Sequence, residues 1–124
     1  MGINFAGGQW VALGRGAAEW RARDESRLVV DRLFWAAVSR MNAAGHAAFG
    51  PGELEALLGT GGRPAGVSTL QRSVSRAIGR GDLMASSHLG CLVVPTTDVQ
   101  LGGRARPCRR HGETRGRPRV TAGR

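Results

Sequence analysis

Five polar side chains recur at the spacing of one helix face: Thr69, Arg72, Ser73, Arg76 and Arg80. Residues three and four apart are neighbours on a helix surface, so a helix here gathers three guanidinium groups and two hydroxyls on one side. The other side, Leu70, Val74, Ala77 and Ile78, is apolar and faces a core. A guanidinium fork matches the paired O6 and N7 acceptors of guanine, and short hydroxyls let a backbone come close to phosphates. The chemistry that suits this face is contact with duplex nucleic acid; the plainer alternative is a solvated helix surface.

A second constellation pairs His88-Leu89-Gly90-Cys91 with Cys108-Arg109-Arg110-His111. Two such clips supply the His₂Cys₂ donors of a tetrahedral zinc site. Against it, Cys91 fits a buried strand position and His111 lies in a basic run that repels another cation. The expectation is a chain without cofactor, with zinc at His88, Cys91, Cys108 and His111 as the alternative. No enzymatic pattern stands out. Glu53 and Glu55 sit two apart and do not face each other on a helix. Gly61-Gly62-Arg63 lacks the lysine of a phosphate-binding loop, and no third group orients a Cys and His nucleophilic pair. The chain is therefore expected not to be an enzyme.

Charge reinforces the first reading. The 124 residues carry a net charge of +9, and all 18 basic residues are arginine. Residues 1–95 hold ten arginines against seven acids, whereas residues 96–124 hold eight against Asp98 and Glu113. That last segment has Pro107, Pro118 and five glycines and no apolar periodicity, which predicts a disordered basic arm. No stretch reaches the ~20 apolar residues of a membrane span. Met1-Gly2-Ile3-Asn4-Phe5 lacks the basic start and apolar run of an export signal, and two cysteines make no disulfide framework. A cytoplasmic protein is expected.

The elements that must position these groups follow from patterning. Residues 1–23 are ambiguous: Gln9 to Leu13 suits a short strand and Ala17 to Arg23 a helical approach. From Asp24 and Glu25, acids suited to a helix start, Val30, Phe34, Ala37, Met41 and Ala44 recur at helical spacing until Gly45. Leu28 and Trp35 widen this stripe, which predicts packing on the N-terminal segment or on a second subunit. Glu53 to Leu58, opened by Pro51 and closed by Gly59, reads as a two-turn helix with Leu54, Leu57 and Leu58 inward. Ser68-Thr69-Leu70-Gln71 matches a capping box opening the third helix, and Gly81 is its left-handed stop. Leu83 to Ala85 and Cys91 to Val94 then read as two strands of a hairpin joined by Ser86-Ser87-His88-Leu89-Gly90 and ended by Pro95.

This order of helix, helix, helix and hairpin is that of a winged helix-turn-helix. Residues 24–95 resemble the winged helix-turn-helix DNA-binding proteins of actinobacteria and their phages. The stretches that carry the resemblance are Gly52-Glu53-Leu54-Glu55-Ala56-Leu57-Leu58-Gly59, Ser68 to Leu83, and Cys91-Leu92-Val93-Val94-Pro95. The Thr60 to Gly66 connection is longer than the tight turn of the simplest members. The resemblance implies a mainly α fold with a small β-hairpin and double-stranded DNA as partner. Its third helix (Thr69, Arg72, Ser73, Arg76, Arg80) would enter the major groove, with Ser86, Ser87 and His88 on the wing. Transcription regulation or phage replication would be the role.

The arm adds Thr114-Arg115-Gly116-Arg117-Pro118-Arg119, whose Arg-Gly-Arg-Pro resembles the AT-hook core. That likeness implies minor-groove or backbone contact by Arg109, Arg110, Arg115, Gly116, Arg117, Pro118 and Arg119. Two other partners stay open: a protein, or a second copy, docking on the core through Trp35 and Leu28, and RNA gathered by the arm. Whether a small molecule binds is left open by the residues.

Overall fold

A computed structural model describes residues 11–100. The expectations for Gln9, Trp10 and the arm beyond Gln100, Cys108 and His111 included, lie outside the described residues. Six elements follow in order: α1 (Arg15–Arg23), α2 (Val29–Arg40), β1 (His46–Ala48), α3 (Glu53–Leu57), α4 (Val67–Arg80) and β2 (Cys91–Val93). The fold is mainly helical with a small antiparallel sheet, in which His46 faces Val93, Ala47 faces Leu92 and Ala48 faces Cys91. Among the described residues no helix is long and apolar enough to cross a membrane.

α2 is the centre of the core. Val30, Leu33, Ala36 and Ala37 are buried along it, together with Leu54 and Leu58 around α3, Leu70, Val74 and Ala77 of α4, and Phe49, Leu92 and Val94. Of the stripe read from the sequence, Val30, Ala37, Met41 and Ala44 are buried and Phe34 is half-buried, with Leu33 and Ala36 completing the buried face. α1 lies along α2 with Ala18 and Ala22 fully buried, and alanines there let the two backbones come close. At the other end Val99 packs against the same core. The packed unit therefore extends beyond residues 24–95 in both directions.

Side-chain hydrogen bonds explain where the helices begin and end. Asp24 and Glu25 do not open α2. Asp24 Oδ1 instead accepts Ser26 N–H at 3.1 Å and Ser26 Oγ–H at 2.7 Å, a turn that competes with helix, and Asp24 becomes the C-cap of α1. α2 also stops before Ala44. Asn42 Oδ1 accepts the amides of Ala44 and His46 at 2.9 and 3.0 Å, while Arg15 donates to the carbonyls of Ser39 and Met41 and so caps the C-terminal end of α2. The expected capping box at Ser68 does not form: α4 begins at Val67 with Gly66 as N-cap and no side-chain cap. Starting earlier places Ser68 inside the first turn, in helical rather than extended backbone. Gly81 does close α4 in the left-handed region, with φ 82°.

The hairpin is the larger correction. Leu83 to Ala85 is not a strand, and β2 pairs with β1, a segment whose residues carry no strand pattern. The reason lies in the end of α4: the amides of Asp82 and Leu83 still bond Ala77 O at 2.9 and 3.4 Å. Only the Met84 amide reaches Val93 O, at 2.8 Å. The chain then turns tightly between His88 and Cys91, whose amides and carbonyls are exchanged at 3.0 Å.

Candidate nucleic-acid interface

α4 divides as its pattern requires. Leu70, Val74 and Ala77 are buried, Thr69 and Ser73 half-buried, and Arg72, Arg76 and Arg80 exposed. Ser73 Oγ donates to Thr69 O at 3.0 Å, one turn back, which leaves its lone pairs toward solvent. The exposed face is not uniformly available. Arg80 Nη2 lies 3.3 Å from Asp31 Oδ1 and its Nε 3.2 Å from Asp82 Oδ2, so this third cation is neutralised by the protein itself.

Most other arginines are likewise engaged. Arg15 caps α2, Arg23 pairs with Glu19 at 2.8 Å, Arg27 pairs with Asp24 at 3.1 Å, and Arg40 pairs with Glu53. Arg21 lies over the Trp35 ring, 5.3 Å from its centroid. Arg32 is 1% exposed and donates to the carbonyls of Ala22 at 2.7 Å, Leu57 at 3.5 Å and Gly59 at 3.0 Å. Its single guanidinium ties the C-terminal ends of α1 and α3 together, where the helix dipoles are negative. Among the described residues only Arg63, Arg72 and Arg76 place their guanidinium groups on no protein acceptor or ring.

Arg72 and Arg76 also share a cleft of about 200 Å³ with Leu28, Val29, Val30, Thr69 and Ser73. The contribution of α2 is not legible in the spacing of α4. Val29 and Val30 are the first helical residues of α2, and amides at that position have no partner within their own helix. The signal that could have found it is Leu28, which lies off the main apolar stripe and is 69% exposed. The cleft thus combines two guanidinium groups, the Thr69 hydroxyl and a helix N-terminus, donors that attract phosphate oxygens.

The expected wing residues sit on the turn ahead of β2. Ser86 and His88 lie toward solvent. Ser87 serves the turn itself, its Oγ accepting the Val93 amide at 2.9 Å. His88 Nδ1 accepts the Gly90 amide at 3.1 Å. Cys91 is fully buried, with Sγ 3.7 Å from His46 Nδ1. Zinc donors are therefore not assembled among the described residues: no group of three or more His, Cys, Asp or Glu side chains is positioned to hold a metal ion there. Comparison with protein families, curated proteins and solved structures finds no match to this chain.

Proposed function

We propose that this protein binds double-stranded DNA as a winged helix-turn-helix, with α4 entering the major groove. The observation that carries the reading is the pair Arg72 and Arg76. They stand one turn apart on α4, exposed, with no acid against either among the described residues. Like charges at this spacing cost a helix ~0.2–0.5 kcal/mol, and neither side chain returns that through a contact within the fold. A polyanion would supply the missing partner.

Chain order supports the same reading. The run α2, β1, α3, α4, β2, with β1 against β2, supports a winged helix in which the single Met84 to Val93 bond would stand where a third strand runs. The turn from Ser86 to His88 takes the place of the wing. Bidentate contacts from Arg72 and Arg76 to purine edges would each contribute ~1–3 kcal/mol of discrimination, while the α2 amides and the Thr69 hydroxyl meet the backbone. The residues beyond Gln100 would add phosphate contacts through their eight arginines. Regulation of transcription, or a phage replication role, is the employment the family resemblance favours. Selection of bound duplexes from a random pool tests the proposal: recovery of a defined sequence, abolished by Arg72→Ala, is expected, and an unselective pool contradicts it.

A further inference from the structure

On the other side of the α1–α2 connection lies a second cleft, of about 310 Å³, with Arg23, Glu25, Arg32, Gly59, Gly62 and Arg63 among its lining. That is far more than the ~10–15 Å³ one water needs. Its charges are unbalanced in an informative way. Arg32 is 1% exposed and among the described residues pairs with no carboxylate; backbone carbonyls receive its Nε and Nη2. A buried cation without a counter-ion is costly. The guanidinium of Arg63, on the rim, has no partner among the described residues, and Arg23 shares its charge with Glu19.

The one acid in the cleft behaves as a stand-in. Glu25 forms no ion pair with these arginines; its carboxylate oxygens accept the Gly61 amide at 3.2 and 3.3 Å. That amide is presented by a tight turn in which Thr60 and Arg63 exchange backbone bonds at 2.9 and 3.1 Å and Gly61 and Gly62 take positive φ. Consecutive amides in such a turn form a concavity that suits anions. From this convergence we infer that the cleft is an oxyanion site that takes one phosphate group, with Arg63 as its ligand, Arg32 as the fixed positive floor, and Glu25 as the internal competitor, whose displacement frees the Gly61 amide at the edge of the cleft. The site is separate from the α4 face and its occupancy can be read without nucleic acid.

The phosphate could be free or belong to a nucleic-acid backbone, and two measurements on the full chain distinguish these sources. In the first, melting temperature is compared in inorganic phosphate and in chloride at equal ionic strength. Phosphate is expected to raise it, less so in Arg63→Ala and more so in Glu25→Gln. The Arg63 guanidinium holds no other group in place, so its replacement leaves the fold intact. In the second, the salt dependence of duplex binding is compared for the native chain and Arg63→Ala. A slope lowered by ~0.9 identifies a backbone phosphate, and an unchanged slope alongside the melting effect identifies a free oxyanion. The inference is overturned if phosphate stabilises no more than chloride, or if Arg63→Ala changes neither quantity. Absence of any duplex binding would count against the α4 proposal and leave the melting experiment to decide this one.

Discussion

Arg80 reaches across from the last turn of α4 to Asp31 in the first turn of α2, Nη2 to Oδ1 at 3.3 Å. This ion pair distinguishes it from Arg76, one turn earlier, which touches no acid among the described residues. Side chains identical in the sequence thus divide into one that fastens two helices and two that face outward.

The division predicts different consequences for the same substitution. Arg72→Ala and Arg76→Ala should each weaken duplex binding about fivefold or more, from the ~1–3 kcal/mol of a bidentate contact, without lowering the melting temperature. Arg80→Ala should do the reverse, with a fall in stability below ~1 kcal/mol because the pair is exposed. Gel-shift titration and thermal unfolding on the same samples measure both.

Arg32→Met should be destabilising, by ~1–3 kcal/mol, since the buried carbonyl of Ala22 loses its donor and the bonds to Leu57 and Gly59 go with it. Arg32→Lys should recover little, because an ammonium cannot span both helix ends as the planar fork does. Denaturant unfolding of the two variants gives the comparison.

Two glycine positions should respond in opposite senses. A Cβ at Gly59 would lie 2.1 Å from Arg63 O, so Gly59→Ala must displace backbone and should cost ~1–3 kcal/mol. Gly79 has open space around it within α4, and Gly79→Ala should stabilise by ~0.5–1 kcal/mol through helix propensity. Melting shifts of several degrees in opposite directions are expected.

The acid limb of stability should reflect Glu53. Its hydrogen bond from Arg40, then that from the Gly50 amide, hold its carboxyl below the ordinary range. Asp24 is lowered likewise, chiefly by Ser26. A depressed native pKa means that the unfolded chain binds more protons as pH falls past the ordinary value of ~4.3 for Glu. Stability is then fully present above that value and disappears as pH drops through the native one. Glu53→Gln should flatten this dependence in urea unfolding series taken through the acid range.

Removing residues 101–124 should weaken duplex binding broadly and lower its salt slope by ~0.9 for each phosphate that is no longer neutralised. An unaltered slope would show that the eight arginines there neutralise none.

The inward faces of α2, α3 and α4 were legible because each repeats apolar residues at helical spacing. Leu54, Leu70 and Val74, named from spacing alone, are buried. Gly81 was legible for a local reason, its freedom at positive φ. β1 was not. His46-Ala47-Ala48 has no β-branched residue and no alternation to mark a strand; it is extended because Cys91–Val93 lies beside it, 43 or more residues further along the chain.

Spacing within a few residues was enough to fix where apolar stripes recur and that Arg72 and Arg76 share a helix face, and composition was enough to fix how much positive charge the chain carries. Which arginines remain available depends instead on how the helices pack. Asp31 comes to Arg80, the carbonyls of Ala22 and Gly59 to Arg32, and those of Ser39 and Met41 to Arg15 only once the core has assembled. A guanidinium's partner depends on distance through space, which no local pattern encodes.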